Sequence, residues 1–444
     1  MSSKYRVYPE YKDSGVEWLG DVPNHWDEVR LKYVASLIVE KIEAGSTQIY
    51  IGLENIQPGN GKYLAKEDMN PEGLSTAFYQ GDVLFGKLRP YLSKSWLADF
   101  SGICSSEFLV LRSRKVCSKF LSYYTLMGEF VNQVDSSTYG SKMPRASWDF
   151  ISLMAVPVPL QEESVKIANF LDHETAKIDT LIDKQQQLIA LLKEKRQAVI
   201  SHAVTKGLNT DALMKDSEVE WLGEVPEHWK VLSLKHLVSI PIIDGPHESP
   251  VKYDEGVPFV SAEAISKGYI DFDKIWGYIS KQDNEKYSKR YSPERDDILM
   301  VKLGATTGAV AMVTTDAQFN IWVPLAAVRI NERALSKYVF YSLGSNSVQN
   351  AIQVSWTYGT QQTLGLQTLG NIRLALPAIQ EQSKIIDYLD SILPSLEASI
   401  VKCGQSLCLL SERRTALISA AVTGKIDVRD WQPPTEPQAE KDTP

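Results

Sequence analysis

The sequence predicts an α/β protein: two mixed α/β domains separated by long antiparallel coiled-coil helices, in a tandem pseudo-repeat. Three observations predict it: a motif that occurs twice, two helical segments sharing one heptad line, and intervening stretches that do not resemble each other. At 444 residues the chain is long enough for two or three cores.

Val16–Trp26 reads VEWLGDVPNHW and Val219–Trp229 reads VEWLGEVPEHW, identical at nine of eleven positions and 203 residues apart. Further blocks follow in the same order: DVLFGKL (82–88) with DILMVKL (297–303), TYGS (138–141) with TYGT (357–360), QEESVKIANFLD (161–172) with QEQSKIIDYLD (380–390), and AVISHAVTKG (198–207) with ALISAAVTGK (416–425). Such repetition marks one supersecondary plan used twice. The blocks agree while the stretches between them do not, which fits one scaffold presenting two surfaces. The expected boundaries are 1–160 and 211–378 for the variable domains, 161–210 and 379–427 for the helical spacers, and 428–444 for a disordered tail.

In the first helical segment, Leu171, Ile178, Leu192 and Val199 keep a heptad line. Adding 218 lands on Leu389, Leu396, Leu410 and Leu417, so the seam is predicted to be shared. Pro394 suggests that a short helix precedes a long one starting near that proline. A single apolar stripe needs a partner, and the two segments are expected to pack antiparallel on each other. In the variable stretches, Val83–Phe85, Phe108–Leu111, Ile298–Val301 and Leu325–Ile330 suit strands, while Lys119–Val134 and Leu335–Val354 suit helices.

Composition narrows the class. Hydrophobic residues make up 43% and charged residues 23%, as in a globular chain. Neither a signal peptide nor a bilayer-length apolar run is evident, so a cytoplasmic protein without a membrane partner is expected. Cys104, Cys117, Cys403 and Cys408 form no CxxC, and the six histidines form no HxxxH pair, so no metal site is expected. The net charge is −8. Residues 1–160 hold 17 Lys+Arg against 18 Asp+Glu, and 208–378 hold 16 against 20. Any grip on nucleic acid must therefore come from local patches or from partner chains.

The doubled opening motif, the Thr-Tyr-Gly-[Ser/Thr] loops, the prolines before Gln-Glu (Pro157, Pro159, Pro377) and the doubled helices together resemble Type I restriction–modification specificity (S) subunits, over residues 5–427. The resemblance implies that each variable stretch is a target recognition domain for one half of a split double-stranded DNA site. It also implies that the helices set the half-site spacing and dock two modification (methyltransferase) subunits, to which restriction (translocase/nuclease) subunits are added. S-adenosylmethionine, ATP and Mg would then belong to partner chains, with no cofactor and no catalytic residue in this one.

The residues themselves offer little catalysis. Lys302–Gly308 lacks the ending of a phosphate-binding loop, and no Gly-x-Gly-x-x-Gly follows a strand. Pro433-Pro434 is followed by Thr, not by the aromatic residue of an amino-methyltransferase site. Asp82 with Lys87, and Asp297 with Lys302, lack the second acid that metal-assisted hydrolysis requires; an acid capping a turn is the simpler reading. Candidate DNA contacts are Lys87, Arg89, Tyr91 and Lys94, with Tyr139, Lys142 and Arg145, in the first half. Lys302, Thr306 and Thr307, with Tyr358, Gln361 and Gln362, are their counterparts in the second. Arg and Lys suit phosphates and guanine edges, and Gln suits adenine. Lys281, Lys286, Lys289 and Arg290 read as a solvated helix face, and Trp18, Trp26, Trp221 and Trp229 as core anchors. An RNA or single-strand binder, which would show exposed aromatics on a repeated platform, and a coiled-coil adaptor are the alternatives.

Overall fold

The computed structural model describes residues 5–43, 49–66, 74–266, 268–355, 357–358 and 362–433. Two compact units share the chain: Met1–Gln186 together with Gln405–Pro444, and the continuous stretch Gln187–Gly404.

In the first unit the central sheet is antiparallel and runs in the order Ala35–Ile38, Phe108–Ser113, Val83–Gly86, Ser95–Leu97. Val83–Gly86 is buried at all four positions, as expected for an unbroken apolar run in an inner strand. A second sheet, Lys41–Glu43, Leu74–Phe78, Gly102–Cys104 and Tyr50–Ile51, ends in a parallel pair. The second unit repeats the plan with Ile243–Asp244, Leu325–Val328, Ile298–Val301 and Val310–Met312. Its companion sheet, Gly277–Ile279, Val257–Val260 and Asn320–Ile321, also ends in a parallel pair. The two predicted variable-domain helices are each split: Ser118–Leu126 and Gly128–Ser136, then Ser336–Leu343 and Asn346–Val354.

Two long helices dominate, Gln161–Lys206 and Ile379–Val422. At ~1.5 Å per residue the first is ~69 Å long. The second runs unbroken through Pro394, against the expected short helix before it. Pro394 is exposed, so water can take the carbonyl that its missing N–H frees one turn earlier.

Each unit takes a piece of both long helices, antiparallel. In the first unit Asp179 Oδ1 accepts a 2.9 Å bond from Arg414 Nε, while Lys166 lies nearer the helix start and donates to Arg429 O, beyond the end of the other helix. Leu171, Ile178 and Leu417 share that unit's core, with Leu410 packed against it. In the second unit Arg196 approaches Glu397 at 3.9 Å, and Gly207 meets Glu381. Leu389 is buried there, Leu396 and Val199 pack on its core, and Leu192 is half-buried.

The doubled motif fastens these helix ends. Trp26 and Trp229 are buried. Gly424, just past the second long helix, abuts Pro23 and Trp26, and Gly207, just past the first, abuts Trp229. His25 pairs with Glu163 and His228 with Glu381, both at 2.9 Å. The tail expectation fails where it begins: Val428 is buried, Trp431 stacks edge-on against Phe170 at 5.6 Å, and Asp427 N donates to Arg6 O. Residues 434–444 lie outside the described residues.

Candidate nucleic-acid interface

In each unit the inner strand runs into a loop on which a second segment is laid. Lys87 O accepts from Ala146 N (2.9 Å) and Arg89 N donates to Pro144 O (2.8 Å). Correspondingly, Lys302 O accepts from Leu364 N (2.8 Å) and Gly304 N donates to Gln362 O (3.1 Å). The structure thus brings the two candidate clusters of each half together.

This frame corrects the register of the Thr-Tyr-Gly match. Tyr139 bridges Arg145, and Thr357 pairs with Thr363, so Tyr139 occupies the place of Thr357 and not of Tyr358. A one-residue slip matters in an extended segment, because neighbouring side chains point opposite ways. The helix-start match shifts likewise. Cys117 N donates to Ser164 and Leu335 N to Gln382, which aligns Glu163, not Glu162, with Glu381.

Backbone strain marks the loop. Arg89 (φ 51°) and Ser93 (φ 49°) flank the short turn Pro90–Leu92 in the left-handed region. Their counterparts in the second unit are Gly304 (φ 108°) and Gly308 (φ 95°). Only Gly adopts such angles freely. The first unit therefore keeps two side chains at positions where the fold prefers none, as strained functional loops do.

The predicted residues then divide. Arg89, Tyr91 (53% exposed), Tyr139 (64% exposed) and Lys142 are exposed, with no side-chain partner among the described residues. Lys87 is half-buried. Lys94 donates to Leu53 O at 2.7 Å, and burial lowers its pKa. Arg145 is tied by its guanidinium to Glu107. Those two brace the loop rather than face outward. In the second unit Lys302 is only 9% exposed and pairs with Asp244 at 3.1 Å, which overturns its reading as an open phosphate contact. Thr307 is buried and donates to Gly304 O at 2.7 Å, leaving Thr306 as the exposed hydroxyl. Gln362 has a buried Oε1 with no partner among the described residues. Gln361 and the side chain of Tyr358 lie outside the described residues.

Asp82 and Asp297 have a structural use. Asp82 accepts from Tyr79 N (2.9 Å) and takes Arg112 on two oxygens at 2.7 and 2.8 Å. Asp297 repeats this with Glu294 N and Arg329. Among the described residues no group of three or more His, Cys, Asp or Glu side chains could hold a metal.

Sequence reasoning missed Asp244, and it assigned Arg290 to solvent. Asp244 is buried yet receives Arg290 Nη2 (2.7 Å), His247 Nε2 (2.9 Å) and Lys302 Nζ (3.1 Å). Burial alone would raise its pKa, but the bonds from Lys302 and His247 outweigh that and hold it below the usual carboxylate range. The His25–Glu163 and His228–Glu381 locks were also missed, although both partners recur in the sequence.

Residues 226–400 match the family model described as the Type I restriction modification DNA specificity domain. Residues in the second half of the chain thus carry a match to the Type I specificity domain. It is 27% identical over 155 residues to the Type I restriction enzyme EcoDI specificity subunit of Escherichia coli, 34% of each chain. It is 24% identical over 436 residues to the putative Type I restriction enzyme MjaX specificity subunit of Methanocaldococcus jannaschii, covering 93% of this chain and 96% of that one. A solved chain from a study of complex assembly and conformational transition in a Type I R-M system superposes with a TM-score of 0.70 at 20% identity, over 90% of this chain and 98% of that one. At that identity the likeness shows the fold alone: two mixed α/β domains with long helices. No helix among the described residues is long and apolar enough to cross a membrane.

Proposed function

We propose that the chain is the DNA-reading subunit of a Type I restriction–modification complex, each unit contacting one half of a split duplex site. One observation carries this reading. The backbone frame of strand, exit loop and overlaid segment recurs bond for bond, whereas the side chains it presents do not: Arg89, Tyr91 and Lys142 on one, Thr306 on the other. A scaffold repeated with different outward groups suits the recognition of two different sequences. The exposed Arg and Lys offer phosphate and guanine contacts, while the chain's acidity leaves much of the phosphate neutralisation to partners.

Methyl transfer, nucleotide hydrolysis and cleavage fall to partner chains in this reading: modification subunits using S-adenosylmethionine, and restriction subunits using ATP and Mg. The long helices would dock the modification subunits and set the gap between half-sites, a role supported by the unbroken course of Gln161–Lys206. The test is methylation mapping of host DNA with the whole complex expressed. An asymmetric two-part motif with an unspecified gap is expected, and exchanging residues 27–137 for a relative's should change one half only. A single continuous palindrome, or complexes that shift single strands in preference to duplex, would overturn the reading.

A further inference from the structure

The second unit contains a cleft of about 340 Å³ between the turn Asp244–Glu248 and the helix Lys281–Ser288 with the residues that follow it. Asp244 lies at its base. One carboxylate oxygen takes Arg290, and the other takes His247 and Lys302. These three groups are not equivalent. The Lys302 side chain is almost wholly buried and by itself neutralises the buried carboxylate, as such a charge requires. Arg290 and His247 approach from outside, with side chains 51% and 64% exposed. The cluster therefore carries a surplus positive charge at its outer edge. Apart from the Nη2 bond to Asp244, the guanidinium donors of Arg290 meet no acceptor among the described residues.

The setting is built to hold this geometry. A Cβ at Gly245 would stand 2.3 Å from Ile321 O and 2.4 Å from the carbonyl carbon of Trp322, so the turn lies on that strand more closely than any other residue allows. Its far end is fastened by Trp322 Nε1, which donates to Glu248 O at 3.1 Å. The helix that leads to Arg290 is capped by Ser280, and its Asn284 accepts from the buried Asn320 at 3.1 Å.

Among its described residues the first unit has no such device. Register fixes the comparison: Ile38 pairs with Val110 as Ile243 pairs with Ala327, which puts Val39 where the second unit has Asp244. By contrast, the Asp82–Arg112 pair, with its carboxylate buried, recurs as Asp297–Arg329. What the two units share is scaffold; a charged cluster found in one of them alone among the described residues, opening on a cleft, is a candidate for what distinguishes their targets.

We infer that Arg290 reads a guanine in the half-site of the second unit, with Asp244 as the positioning residue that holds its guanidinium and Lys302 as the buried counter-charge. An Arg gripped on one edge by a carboxylate presents its remaining donors in a fixed fork, matched to guanine O6 and N7 in the major groove. This rests on the DNA-reading function proposed above.

The experiment uses the assembled methyltransferase complex with wild-type, Arg290→Lys, Arg290→Gln and Asp244→Asn chains, reading genomic methylation motifs and competition between duplexes differing at one base pair. The half-motif assigned to the second unit is the one that survives exchange of residues 27–137. It should contain an obligatory G·C pair. Arg290→Lys should reduce discrimination at that pair on the order of tenfold or more, and Arg290→Gln should shift preference there toward A·T. Asp244→Asn should relax the same pair, and all variants should leave the other half-motif intact. An even weakening with an unchanged motif would make Arg290 a phosphate contact and overturn the inference, as would an unchanged discrimination ratio or a half-motif without a required guanine. Should Arg290→Lys fail to fold, as read by its melting temperature, the ratio measured on Asp244→Asn decides. If the wild-type motif is not split, the function itself fails; if it is split and the ratio does not move, only the role of Arg290 fails.

Discussion

The two exit loops, Lys87–Lys94 and Lys302–Gly308, share a backbone path and differ in how they use their charges. At the first, Lys87 stays half-exposed, and Val39 stands where the second unit has Asp244; at the matching place, Lys302 is buried on Asp244. A lysine at the same position of the same strand thus faces outward in one unit and serves as a buried counter-ion in the other. The residue at the Asp244 position, two strands away in the sheet, distinguishes them. The first loop keeps Arg and Ser in left-handed geometry, while the second relaxes to Gly and leaves its exposed cation to Arg290, on the helix side of the cleft. Matching residue types between repeats therefore identify the frame more safely than they identify the contacts.

The largest effects should fall on the shared frame, and they should be unequal. Asp297 is 1% exposed and its partner Arg329 is 23% exposed, with further bonds to Glu294 and Ser292 O. The Arg112 side chain, partner of Asp82, is 46% exposed. Removing one member of a buried pair costs ~3–5 kcal/mol, whereas solvent screens an open one. Asp297→Ala should therefore destabilise its unit by about 3 kcal/mol and Asp82→Ala by about half that. Native-state hydrogen exchange in Ile298–Val301 and Val83–Gly86 reads each unit separately. Equal losses would mean that partner exposure does not distinguish the two copies.

A smaller, sharper contrast lies at the helix ends. Gly424 and Gly207 both have positive φ, 74° and 79°, so Ala costs about 1 kcal/mol at either from backbone alone. Space then separates them. A Cβ on Gly424 would meet Pro23 Cδ at 2.3 Å, whereas on Gly207 it meets Trp229 Cζ2 at 3.1 Å. Gly424→Ala should lose about 2 kcal/mol or more, and Gly207→Ala about 1 kcal/mol, measured by denaturant unfolding. The reverse order would show that the proline yields more readily than the buried indole.

Much of this architecture is legible in the sequence because it repeats or has a period: the doubled motif, the inner strands, the heptad seam. What stayed hidden has neither. The return of Gln405–Pro444 to the first unit depends on contacts such as Ser419 Oγ to Glu129 Oε1, 290 residues apart, which leave no local pattern. The Asp244–Lys302 pair likewise joins segments far apart in sequence, and its aspartate has Val39 at the matching place in the first unit. The His25–Glu163 and His228–Glu381 locks were accessible in principle, since both partners recur, but letter matching slipped the second block by one residue and obscured them. Pro394 misled because local propensity takes no account of the exposed face on which the proline sits.

The smallest expected effect isolates the first loop. Arg89 sits at φ 51° and ψ 61°, where the second unit has Gly304. The left-handed conformation costs a non-glycine residue ~1–2 kcal/mol, while glycine's extra freedom in the unfolded chain returns ~0.5–1 kcal/mol of that. Arg89→Gly should therefore leave the first unit as stable as before or up to about 1 kcal/mol more stable, since the Arg89 side chain has no partner to lose among the described residues. If that side chain is kept for DNA, the same variant should weaken methylation at sites of the wild-type motif, and duplexes altered in the half-motif read by the second unit should be discriminated as before. Denaturant midpoints and duplex competition on one preparation give both numbers. A loss of stability would make Arg89 a structural residue of its loop. Unchanged stability with unchanged competition would leave its strain without a function and return the reading of the first half-site to Tyr91, Tyr139 and Lys142.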